Sequence, residues 1–261
     1  SAFIRDYMQL IDITSYKKAT ETNHKELYRD FKELFGDDNH EQLIKKLAEY
    51  SNEYAILASY KSSGNNKIDL KIADLKVVES SGFYSFILGV LNLRTEHKLD
   101  DNDTLAIFDA IFIYIARRRV MRVTQGENKN APLLVKYFDD LIEALDKKAK
   151  MLEILSNQQY ALRLPNDNDI TTHLTSSESN FYNLRSGKFI QSLIEEKLTR
   201  NRPAINDKLL QVEHIMPQTL NETWKNKLGE NYQEIHDNYL NNIGNLTLIR
   251  HNQELSNHSF G

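Results

Sequence analysis

The stretch "LLQVEHIMPQTL", residues 209–220, decides how the chain is read. Leu209 to Val212 make a short strand-like apolar run, Glu213 and His214 follow directly, and Pro217 comes soon after. Proline cannot donate to a ladder, so the strand is expected to end near the Glu-His pair. Neighbours on an ideal strand face opposite sides. Glu213 and His214 can therefore serve one substrate only where the strand stops or distorts.

A second strand-like run, "IGNLTLIR", occupies 243–250, and Gly244 is free to open it with an unusual backbone angle. Between the two runs, 221–242 reads as helix and loop. After Arg250, the polar "HNQELSNHSF" reads as one or two helical turns. The local order is strand, insertion, strand, short helix.

Upstream, apolar residues recur at helical spacing. Leu43, Leu47, Tyr50, Tyr54 and Leu57 share a face within 40–60. Residues 82–94 are apolar nearly all round and predict a buried helix. An Asp/Asn/Thr-rich start suited to capping opens a long helix over 101–123. The segment 132–155 starts with a proline and repeats Leu134, Phe138, Leu141 and Leu145, and 187–200 is amphipathic up to Pro203. Four Pro and nine Gly in 261 residues favour long helices over a sandwich or barrel. The expected fold is mainly α: a helical body over 1–204, linking or DNA-positioning, followed by a small module over 205–261.

The composition, 40% hydrophobic and 27% charged, is that of an ordinary globular protein. No apolar run is long enough to span a membrane. The absence of cysteine excludes disulfides and thiolate zinc sites, and suits a cytoplasmic address. A net charge of −4 gives no bulk argument for nucleic-acid binding, so such a function must rest on a local site. The one sharp basic cluster is Arg117, Arg118, Arg119 and Arg122. It reads first as a helix C-terminus complementing the dipole. Arg118, Arg119 and Arg122 are also candidates for phosphate contact. The opening "SAFIRDYMQL" lacks an initiator Met and a signal peptide, so the chain is expected to be a piece of a longer one.

Phosphodiester hydrolysis needs an activated water, neutralised phosphate charge and a stabilised leaving oxygen. A histidine is a suitable base, since an imidazole's ordinary pKa of roughly 6.5 leaves it largely neutral at physiological pH. Mg²⁺ or Mn²⁺ takes oxygen ligands, often few of them from protein. Glu213 and Asn252 supply such ligands, His214 the base, and Asn245 a brace for the first strand and loop. His24, His40, His97, His173 and His236 read as surface residues, and Trp224 as an anchor for the insertion.

"VEHIMPQ" followed by "NNIGNLTLIRHNQELSN" resembles the His-Me finger of HNH endonucleases, the ββα-metal fold. It is more specifically similar to the C-terminal nuclease domain of GmrSD-type modification-dependent restriction enzymes. "FIRDYM" near the start, "RRRV" at 117–120 and "LRLPNDNDI" at 162–170 extend the likeness. The resemblance implies a metal-dependent DNA endonuclease with His214 as base, Asn245 as structural asparagine, and Glu213 with Asn252 at the metal; Asn257 is its alternative to Asn252, and His251 and His258 are further candidates if the register differs. It also implies modified phage DNA as substrate and, as partner, an N-terminal ParB-like nucleotide-binding domain whose DGQQR-type motif is not found here. The rival readings are a non-catalytic helical interaction module with a degenerate nuclease fold, and an RNA-cutting nuclease of the same fold.

Overall fold

The computed structural model describes residues 2–11, 24–36, 39–123, 131–158, 162–177, 179–205 and 207–250. The protein is mainly helical, with one small two-stranded antiparallel sheet near its C-terminal end. It divides into two compact units, Ser1–Ile115 with Thr124–Leu164, and Ala116–Val123 with Pro165–Gly261. The second unit takes in more of the chain than the 205–261 module read from the sequence. Among the described residues no helix is long and apolar enough to cross a membrane.

The first unit contains α1 (Ala2–Ile11), α2 (His24–Phe35), α3 (His40–Leu57), α4 (Asn66–Val77), α5 (Tyr84–Thr95) and most of α6 (Asp101–Val120). α7 (Phe138–Glu143) and α8 (Lys147–Ser156) complete it. α5 is the helix expected to be buried, and every residue from Ser85 to Leu93 is buried. It packs on α1 and α3. Gly89 is what lets it sit so close: a Cβ there would lie 2.4 Å from Phe138 Cζ and 2.8 Å from Leu10 Cδ1. Tyr7, Met8, Phe35 and Leu43 form a cluster joining α1, α2 and α3, with Phe31, Leu47 and Tyr50 packed against it.

The single helix expected over 132–155 is three pieces: a 3-10 segment at Ala131–Tyr137, then α7 and α8. Asp146 explains the break. Its carboxylate accepts from Ala149 N at 2.9 Å and caps α8. Lys147 Nζ meanwhile donates to the Ile142 and Ala144 carbonyls at the end of α7. Leu145, expected on the apolar face, is left fully exposed between them.

The second unit holds α9 (Asp167–Thr175), a 3-10 turn at Phe181–Asn183, α10 (Gly187–Thr199) and β1 (Leu210–His214). α11 (Glu222–Leu228), α12 (Tyr232–Tyr239) and β2 (Leu246–Arg250) follow. Asn166 and Asp169 form a reciprocal capping box at the start of α9. α10 packs on β2. The two strands of the expected order are present, and residues 251–260, read as its short helix, lie outside the described residues. Gly244 does not adopt the unusual angle expected of it. It sits in a 3-10 turn, Ile243–Asn245, and the positive-φ glycines among the described residues are Gly64 and Gly229.

Candidate active site

The site is built on the end of β1. The strands pair antiparallel with His214 opposite Leu246, Glu213 opposite Thr247 and Leu210 opposite Arg250. Leu210 and His214 are buried, while Gln211 between them is exposed, as the two-residue period of a half-covered strand requires. β1 ends at His214, where the sequence places the stop.

The chain beyond β1 is held by asparagines. Ile215 N donates to Asn245 O at 2.9 Å, carrying the pairing one step past the strand. Asn245 Oδ1 accepts from Met216 N at 2.6 Å, and its Nδ2 donates to Met216 O at 3.1 Å and Leu240 O at 2.8 Å. One amide thus saturates three backbone groups of two segments that meet only through the fold. Asn242 is buried; its Oδ1 accepts from Gly244 N at 3.1 Å, and its Nδ2 donates to the Leu174 carbonyl at the end of α9. His236, expected at the surface, is instead 8% exposed, with Nε2 3.0 Å from Pro217 O. Placed on α12, it ties the insertion to the turn after β1.

His214 is 7% exposed, yet its ring does not lie in apolar packing. Nε2 is 3.2 Å from Asn241 Oδ1, and Nδ1 is 3.4 Å from Gln218 Nε2. The Tyr182 ring lies 4.4 Å away, tilted by 45°, and is itself 40% exposed. Tyr182 is tied to the same turn, since its backbone N donates to Asn241 O at 3.2 Å.

Glu213 is half-buried, and regular alternation directs its carboxylate to the face of β1 opposite the His214 ring. The two can approach one phosphate only at the strand's open end. Among the described residues no three His, Asp or Glu side chains gather as a metal-binding group. One carboxylate is nevertheless compatible with Mg²⁺ or Mn²⁺, which can be held by one or two carboxylates together with water and phosphate. Asn252, Asn257, His251 and His258 lie outside the described residues.

The arginine cluster is not the surface feature its composition suggested. Arg118 and Arg119 are 1% and 8% exposed, which removes them as contacts for a phosphate backbone approaching from solvent. Arg122 remains exposed in a left-handed conformation (φ 55°), and its Nη2 donates to the Asn180 carbonyl. That conformation is why α6 stops at Val120, short of the expected 123. Arg117 bonds to Pro165 O at 2.8 Å and pairs with Asp167, joining the end of α6 to the start of α9.

Tyr182, Gln218, Asn241 and Asn242 were given no role in the sequence reading, and His236 was read as a surface residue. Gln218 lies within the first quoted motif and Asn241-Asn242 open the second, so membership of the motifs was an available signal for these three. Tyr182 and His236 reach the site only through tertiary contact. Trp224 is half-buried, with the Lys227 ammonium 6.0 Å from its ring centre.

Residues 164–261 match the family model for the C-terminal domain of GmrSD restriction endonucleases. The matched segment contains the whole sheet, Tyr182, both asparagine turns and His214, and it begins one residue before the second unit resumes at Pro165. It points to a restriction-endonuclease-related nuclease domain. No curated protein and no solved structure matches the chain.

Proposed function

We propose that the second unit is a metal-dependent DNA endonuclease of the His-Me finger type, acting in bacterial restriction of foreign DNA, with His214 as general base. The observation that carries this reading is the placement of His214. Its imidazole sits at a strand end with both ring nitrogens facing polar side chains, and Asn245 clamps the backbone two residues further on.

In this reading the imidazole takes a proton from a water. The water oxygen bonds to phosphorus, the bond to the 3′ oxygen breaks, and the leaving oxyanion takes a proton from solvent. The Asn245 brace and the His236–Pro217 contact keep the base from shifting as the proton moves. Glu213 would hold a Mg²⁺ or Mn²⁺ ion, with Asn252 its expected second ligand. When bound, that ion supplies charge neutralisation on the phosphate and stabilises the leaving oxygen. The exposed Arg122 is the one member of the basic cluster retained as a phosphate contact. In the same reading the substrate is modified phage DNA, the partner is a ParB-like nucleotide-binding domain, and the setting, in keeping with the absence of cysteine, is cytoplasmic.

The test is cleavage of supercoiled plasmid and of a structured RNA of similar length, each with Mg²⁺, with Mn²⁺ and with EDTA. Nicked and linear plasmid with either metal and none with EDTA supports the reading. Cleavage of RNA alone would transfer the activity to the other polymer, and cleavage undiminished by EDTA would refute metal dependence.

A further inference from the structure

His214 has two ring nitrogens with different surroundings, and this difference decides which of them can act as base. Nε2 faces the side-chain oxygen of Asn241, a half-buried residue whose own backbone carbonyl accepts from Tyr182 N. An oxygen can only accept, so with the Asn241 amide in this orientation the contact is a hydrogen bond when Nε2 carries the proton. Nδ1 faces the amide nitrogen of Gln218 at 3.4 Å, and a donor there requires the lone pair to be on Nδ1. With the two amides so oriented, both contacts match the same neutral tautomer.

The two partners differ in how firmly they are held. Gln218 is exposed, and its contact is long enough to exchange for a water. Asn241 stands immediately before Asn242, which is anchored to α9 and to Gly244, and four residues before Asn245, which is anchored to Met216 and Leu240. Asn241 lies between Leu240, whose carbonyl Asn245 holds, and Asn242, so its backbone is anchored on both sides.

We propose that Asn241 is a positioning residue that holds the proton of His214 on Nε2, so that Nδ1 is the nitrogen presented to water, with Gln218 as its displaceable cover. This rests on the assignment of His214 as base but concerns the ring's tautomer, which can be read without substrate or metal. Asn241 itself touches no reacting atom. It acts as the outer partner of a catalytic imidazole, fixing tautomer and ring orientation.

The experiment is a long-range ¹H–¹⁵N correlation spectrum of the ¹⁵N-labelled chain at a pH where imidazoles are neutral, with His214 identified by comparison with His214→Ala. The wild type is expected to show a protonated Nε2 and a bare Nδ1. Asn241→Asp keeps an acceptor and loses the donor, so it retains this pattern. Asn241→Leu keeps neither and should show a mixture of tautomers, with kcat for plasmid nicking down about ten- to a hundredfold and KM little changed. A bare Nε2 in the wild type overturns the proposal, as does an unchanged pattern in Asn241→Leu or an Asn241→Asp spectrum like that of the Leu variant. The wild-type spectrum decides the tautomer even if the Leu variant fails to fold. The expected tautomer in a chain that cuts nothing would count against the nuclease reading and leave the Asn241–His214 relationship standing.

Discussion

Asn245 holds Met216 from both sides, accepting from its backbone N at 2.6 Å and donating to its carbonyl at 3.1 Å. Met216 is buried, so water cannot replace either bond cheaply. Asn245→Ala is therefore expected to cost about 2–4 kcal/mol, since it orphans those two groups and the Leu240 carbonyl together. Asn245→Asp should be no milder: it can accept from Met216 N but sets a carboxylate against two carbonyl oxygens. Urea unfolding of the three proteins checks this, and a loss below about 0.5 kcal/mol in both variants would contradict the brace.

His236 plays a comparable part from the insertion. Its Nε2 donates to Pro217 O, a carbonyl in the turn between His214 and Gln218. His236→Ala should lower stability by about 1–3 kcal/mol and reduce nicking through a looser turn. His236→Gln, which can restore an N–H at that point, should recover part of both. Equal behaviour of the two variants in melting and in nicking would show that the bond is unimportant.

Gly89 tests the packing of the first unit. Gly89→Ala would force a methyl against the Phe138 ring and Leu10 inside a helix buried along most of its length. A loss of about 1–3 kcal/mol is expected from overpacking, read as a lower denaturant midpoint with an unchanged m-value. A neutral result would mean that Phe138 swings aside freely.

Asp6 makes the first unit sensitive to pH. Burial pushes its carboxyl from an ordinary 3.8 up to about 6, and the Arg5 guanidinium pulls only partly the other way. Arg5 bonds to Oδ1, and Oδ2 is buried without a partner among the described residues. A carboxyl that binds its proton more tightly in the fold favours folding in acid. That contribution is present below pH 3.8 and is lost as pH rises through about 6. The amount at stake is on the order of 3 kcal/mol. Asp6→Asn should therefore melt higher than wild type at pH 7, with the gap closing towards pH 4. A gap that is constant with pH would contradict the shift.

The elements were legible wherever a period ran uninterrupted. α5 showed itself by being apolar on every side, and β1 by a short apolar run stopped ahead of Pro217. The break at Leu145 was not legible, because Leu134, Phe138, Leu141 and Leu145 keep helical spacing through it. Only the capping by Asp146 and the bonds from Lys147, which compete with that pattern locally, reveal it. Residue type drew attention to His214 and Asn245, but their partners could not be read in the same way. Tyr182 and His236 come to the site from a 3-10 turn and from α12, and no spacing in the chain encodes that meeting. Arg117, Arg118 and Arg119 do stand in the last turn of α6, but Arg118 and Arg119 misled as phosphate contacts because three adjacent cations with a fourth at 122 look like a surface, whereas these two are buried.

The most direct measurement is nicking of supercoiled plasmid by the wild type and by His214→Ala, purified in parallel, with Mg²⁺ or Mn²⁺ present. Removal of a general base should lower kcat by about a hundredfold or more, with circular dichroism and plasmid binding retained. Equal cleavage by the two proteins would remove His214 from the chemistry and leave the strand-end imidazole a structural residue.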